Sequence, residues 1–206
     1  MKLYTYPGAP NPRRVHVYLA EKGLEIPCQT VDIMKRENRA PAFVENVDPM
    51  GRLPVLELDD GSHLAESVAI CRYLEALHPD PPLFGRDAKE QGTIEMWIRR
   101  VELDFMVPVG LVWIHGSPLT KAVMPEQIPA VAEQNRKRVG QTFRFLDRTL
   151  ADRPHLAGDA FSMADIVCLC TLDFAAGLNH LPHDPERHPN LDRWAKAVSA
   201  RPSAGA

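Results

Sequence analysis

The chain has 206 residues, 45% of them apolar and 25% charged, which supports a packed core and excludes a disordered chain. Its 24 Lys and Arg against 27 Asp and Glu leave a net charge of −3, which gives no footing for nucleic acid or an anionic membrane as partner. No apolar run reaches transmembrane length, the opening residues lack a secretory apolar region, and four scattered cysteines (Cys28, Cys71, Cys168, Cys170) read as reduced core thiols of a cytoplasmic protein.

Residues 2–6 favour a strand, ended by Pro7-Gly8. Asn11-Pro12 then reads as an N-cap with proline at the first helical position, and Gly23 as the C-terminal stop. Residues 28–33 form a second predicted strand, 35–47 a polar loop with a short helix, and 54–58 a third strand. Asp60-Gly61 is a hairpin turn signal into a short strand at 63–65, and Ile70, Leu74 and Leu77 mark a helix ending near His78. This first part, residues 1–78, reads as an α/β layer. Residues 79–86 are a proline-rich, stiff linker. Residues 87–206 carry only helical patterns. One starts near Ala88 and should kink or break at Pro108, one runs from about 127 to 150, one follows Ser162, and one holds Leu191, Trp194 and Val198. Ser162-Met163-Ala164-Asp165 reads as a capping box with Asp in the usual Glu position.

Four motifs stand in order along the chain: Asp48 to Leu56 (DPMGRLPVL), Leu64 to Ile70 (LAESVAI), Leu156-Ala157-Gly158-Asp159 with Phe161 to Asp165, and Pro189-Asn190-Leu191 with Trp194. Together they resemble the cytosolic glutathione transferase family, of a theta- or zeta-like bacterial type. The resemblance covers nearly the whole chain. It implies a thioredoxin-like α/β N-terminal domain, an all-α C-terminal domain, glutathione as co-substrate, no metal, and a cytoplasmic homodimer acting on a small hydrophobic electrophile.

On that resemblance the bond before Pro54 is cis, which only proline tolerates readily, and the backbone of Leu53 meets the extended tripeptide. Proline donates nothing to a sheet ladder, so Pro54 belongs at a strand start on physical grounds as well. Glu66 and Ser67 sit where a strand meets a helix, whose free amides and positive end favour an anion. Ser67 would hold the γ-glutamyl carboxylate and Glu66 the ammonium, while Arg52 and Asn38 would serve the glycine carboxylate.

The chain departs from the family at the thiol. Ala9 stands where related members carry a catalytic serine or cysteine, and no Cys-x-x-Cys pair is present. The expected stabilisers of a thiolate are the helix start itself, with Ala9 supplying a backbone amide, Asn11 a side-chain amide and Arg13 a charge; Tyr6 is the alternative. A second-substrate pocket is expected from Met106, Val109 and Trp113. The leading reading is conjugation of glutathione to an electrophile or reduction of a peroxide. The rival is a glutathione-binding protein without catalysis, favoured by Ala9; a zeta-type isomerase ranks last because its serine-rich loop is missing.

Overall fold

The structure is a computed structural model that describes residues 1–206. It divides into two compact units, Met1–Leu83 with Pro202–Ala206, and Phe84–Arg201.

The first unit runs β1 (Lys2–Thr5), α1 (Pro10–Lys22), β2 (Cys28–Thr30), α2 (Pro41–Asn46), β3 (Val55–Glu57), β4 (His63–Ala65) and α3 (Ser67–Leu77). The sheet order is β2-β1-β3-β4, with β2 parallel to β1 and the other pairs antiparallel. The two-residue alternation of β1 and β3 gives the sheet two buried faces. Leu3 and Leu56 are opposite each other in register and are fully buried, as are Val15 and Tyr18 of α1 and Ile70 and Leu74 of α3. Tyr4 and Val55 point the other way, into a cluster with Val31 and Phe43. β2 is shorter than the 28–33 span read from the sequence; Val31 still donates to Thr5 O but belongs to no strand. Cys28 lies on this exposed edge strand, so it is not a core thiol, unlike Cys71, Cys168 and Cys170.

Residues 202–206, assigned by sequence to the helical half, group with the first unit. Their short 3-10 turn is tied to α1: Arg13 Nη2 donates to Ala204 O at 2.9 Å and Ser203 Oγ bonds Glu21. Elsewhere on α1, His16 Nε2 lies 2.8 Å from the hydroxyl of buried Thr5. Burial holds the His16 imidazole below its usual 6.5. The folded state therefore binds fewer protons than the unfolded chain in the window just below 6.5, so stability falls as the pH drops through it. Unfolding curves between pH 7.5 and 5.5 should show this loss, and His16→Asn should flatten it; an unchanged slope in the variant would remove His16 from the pH response.

The second unit contains α4 (Ala88–Val101), α5 (Val107–Gly116), α6 (Pro129–Thr149), α7 (Met163–Ala176) and α8 (Pro189–Ser199). α7 is buried along almost its whole length and forms the centre of the bundle. The break expected at Pro108 takes a specific form. A π-helical turn, Glu102–Met106, joins α4 to α5, and Pro108 lies in the first turn of α5. Proline has no N–H for the carbonyl four residues back. That carbonyl, of Asp104, accepts instead from the Thr142 hydroxyl of α6 at 2.8 Å.

The capping box at α7 is present and extended. Asp165 is fully buried and accepts from Ser162 N at 3.1 Å and Ser162 Oγ at 3.0 Å. It also accepts from Leu156 N at 3.0 Å and Trp194 Nε1 at 2.9 Å, with His155 Nδ1 at 3.7 Å. Burial pushes its carboxyl above the ordinary aspartate value, and these donors and His155 pull against that shift.

Candidate active site

The residues singled out by sequence come together in one cavity of about 340 Å³ in the first unit. Three segments build it. The first is the start of α1. Its N-cap is Ala9, extended at φ −76° and ψ 137°, and not Asn11 as the sequence indicated. The reason is Pro10, which disfavours a helical Ala9 and itself suits the first helical position. Asn11 and Pro12 then lie inside the first turn. The two prolines carry no N–H, the amide of Arg13 donates to Ala9 O, and the amide of Ala9, expected to face the thiol, instead donates to Tyr6 O at 3.3 Å and closes a turn. Asn11 is therefore the first-turn residue that brings a backbone donor to this helix end. Its side-chain Oδ1 is buried and has no hydrogen-bond partner.

The second segment is the loop before β3. The Leu53-Pro54 bond is cis, as expected, and Pro54 precedes β3 directly. Asp48, buried, accepts from Arg52 N at 2.7 Å and closes the turn through Gly51. Gly51 has φ +55°, and a Cβ there would stand 2.6 Å from the carbonyl oxygen of Asn38. No other residue type fits that approach. Asn38 donates through Nδ2 to Gly51 O at 2.7 Å, and Arg39 through Nη1 to Met50 O at 2.8 Å. The side chain of Asn38 thus braces this loop, while Arg52 is exposed and only 3.9 Å from the equally exposed Glu66 carboxylate. Such a surface pair contributes little by itself, which leaves the Arg52 guanidinium available to another anion.

The third segment is the β4–α3 junction. Glu66 takes φ +69° and ψ 114°, a backbone conformation that costs energy for a residue with a side chain and clusters at functional sites. It turns the chain so that Ser67, buried, opens α3 at the cavity wall. Behind Ser67 stands Arg14 of α1, also buried, with Nη1 3.4 Å from Ser67 Oγ.

Ala9, Asn11, Asn38, Arg52, Leu53, Pro54, Glu66 and Ser67 all line the cavity. Asp48, Met50 and Gly51 line it too, and sequence reasoning named them only as part of a motif. Arg13 does not: its guanidinium is engaged by Ala204 O, because its place in the first turn points it along α1 toward the 202–205 turn. Tyr6 is half-buried and likewise outside the cavity lining. Of the residues expected for a second substrate, Val109 is fully buried and has no surface to offer a ligand, so it is a packing residue of the helical unit. Met106 and Trp113 are half-buried; Met106 Sδ meets the Thr171 hydroxyl at 3.8 Å and Trp113 packs edge-on against Phe174. No three His, Cys, Asp or Glu side chains are grouped so as to hold a metal ion.

Residues 3–82 match the model of the glutathione S-transferase N-terminal domain and residues 113–202 that of its C-terminal domain. The chain is 37% identical over 206 residues to glutathione S-transferase 2 of Saccharomyces cerevisiae, covering 98% of this chain and 87% of that one. It superposes on the crystal structure of Gtt2 from the same yeast with a TM-score of 0.92, at 36% identity and with 100% and 99% of the two chains covered. For the class Gtt2 glutathione S-transferase of Vibrio parahaemolyticus the TM-score is 0.86, at 32% identity and with 98% and 94% covered. The β4–α3 junction, a cis-proline loop and the start of α1 converge here on one cavity, in a chain matched along both halves to one family. The chain belongs to the cytosolic glutathione S-transferase family.

Proposed function

We propose that this glutathione transferase conjugates glutathione to a small hydrophobic electrophile, or reduces a peroxide at its expense, from the cavity of the first unit. The observation that carries the reading is the convergence of Leu53-Pro54, Glu66-Ser67 and the start of α1 on that one cavity. In this reading the backbone of Leu53 pairs with the extended tripeptide. Ser67 and the first-turn amides of α3 hold the γ-glutamyl carboxylate, Glu66 its ammonium, and Arg52 the glycine carboxylate. Asn38 serves this end by fixing Gly51. Glutathione is the co-substrate and the scheme calls on no metal. The working form is taken to be a cytoplasmic homodimer, as the family implies, and sedimentation at micromolar concentration should return twice the mass of the chain.

The thiolate is stabilised without a side-chain hydroxyl. A free thiol ionises near 8.5. A helix N-terminus contributes up to about 2 kcal/mol to an anion, and about 1.4 kcal/mol moves a pKa by one unit, so the start of α1 lowers the thiol pKa by at most about one and a half units. The amide group of Asn11 supplies the remainder: rotation of its side chain exchanges Oδ1 for Nδ2, which donates to sulfur. Arg13, held at Ala204, contributes only charge at a distance.

Ultraviolet absorbance of bound glutathione tests this. A thiolate band should be present at pH 7.5. Asn11→Ala should raise the pKa of the bound thiol and slow conjugation with little change in affinity, and Tyr6→Phe should do neither. Loss of the band in Tyr6→Phe alone would make the chain a tyrosine-type transferase. No band below pH 8 in the parent protein would favour a binding protein without catalysis.

A further inference from the structure

Arg14 is a charged side chain that the scheme above leaves without a task. It sits on α1, is 2% exposed, and does not line the cavity. A guanidinium does not lose its proton when buried, so a full positive charge is held inside the first unit. Its Nη1 lies 3.4 Å from the hydroxyl oxygen of Ser67, itself 5% exposed and at the first position of α3. A serine hydroxyl has one proton to donate and two lone pairs to accept with. With Arg14 behind it on the accepting side, the Ser67 proton is directed away from Arg14, to the cavity side of the residue.

We infer that Arg14 is a positioning residue for the γ-glutamyl carboxylate, acting through Ser67: it fixes the direction of the Ser67 hydroxyl toward the anion. The inference rests on the reading of this cavity as the glutathione site. It assigns the selectivity for a carboxylate at that end to a pair of residues, only one of which touches the ligand.

The experiment compares two ligands by calorimetry. One is glutathione; the other is the analogue with 4-aminobutyryl in place of γ-glutamyl, which keeps the amine and lacks the carboxylate. The parent protein should prefer glutathione by about tenfold or more, the scale of a hydrogen bond to a charged group. Arg14→Met should remove most of that preference by weakening glutathione alone, with the analogue bound as before. Arg14→Lys, which keeps the charge but not the fork, should retain an intermediate preference. It decides the matter if Arg14→Met does not fold, since an unchanged ligand ratio in the lysine variant overturns the inference. Equal weakening of both ligands in Arg14→Met also overturns it, because a purely structural role predicts that. Ser67→Ala separates this outcome from failure of the site itself. If Ser67→Ala lowers the preference and Arg14 variants do not, only the role of Arg14 is lost. If Ser67→Ala leaves both affinities unchanged, the glutathione site is wrongly placed and the inference falls with it.

Discussion

Asp165→Ala is expected to destabilise the folded chain by about 3–5 kcal/mol, the scale for removing one partner from a buried polar network. The side chain is fully buried and accepts four hydrogen bonds, from the amides of Leu156 and Ser162, the Ser162 hydroxyl and the Trp194 indole. Truncation leaves each of those donors in a dry interior with no acceptor, and each unmet group has a cost of its own. The network also joins three parts of the helical unit that are distant in sequence: the turn at Leu156, the start of α7 and α8 through Trp194. Its loss therefore loosens the packing of α8 as well as the cap. Ser162→Ala removes one hydroxyl and should cost less, about 0.5–2 kcal/mol. Denaturant unfolding at neutral pH measures both, and the fraction that stays folded should bind glutathione with the parent affinity. A Ser162→Ala protein with unchanged stability and no activity would move Ser162 from a structural role into the catalytic one.

Ser67→Ala should weaken glutathione binding by about 1.5–3 kcal/mol, roughly a ten- to hundredfold rise in Kd. The hydroxyl is buried, so its bond to a carboxylate meets little competition from water, and it stands at the positive end of an eleven-residue helix. The strained backbone of Glu66 exists to bring it there: φ +69° turns β4 directly into α3 with Ser67 at the cavity wall. Removing the hydroxyl leaves the α3 amides in place, so binding should weaken without vanishing. The melting temperature should change little, because Ser67 Oγ is the only atom lost. An unaltered Kd would refute the placement of the γ-glutamyl group.

Much of this was legible in the chain itself. The α/β half followed from short β-favouring runs set between helical patterns, and the helical half from the helical spacing of apolar residues after a proline-rich segment. Asp60-Gly61, Gly23 and the Ser162–Asp165 box are local signals, fixed by the backbone requirements of a turn or a helix end, and the structure places each where its chemistry put it. The cis bond before Pro54 was legible through the resemblance of its segment to the family motif, at a residue type that alone makes such a bond accessible.

What the tertiary structure decided were the matters that depend on which side chains meet. Two prolines two residues apart each offer a helix start, and only the packed chain shows that Ala9, not Asn11, is the cap. Arg13 and Arg14 are adjacent and identical in sequence terms. On a helix they point about 100° apart, so one reaches the carbonyl of Ala204 and the other is buried against Ser67. Asn38 was legible as a polar residue near the site, but its partner, Gly51 O, lies thirteen residues away and belongs to a different loop. Val109 carries the same apolar signal as a pocket residue, and burial alone makes it core. Local chemistry determined the elements and the residue types of the site; long-range contact, which no local pattern encodes, determined which of those residues face the cavity and which hold it in shape.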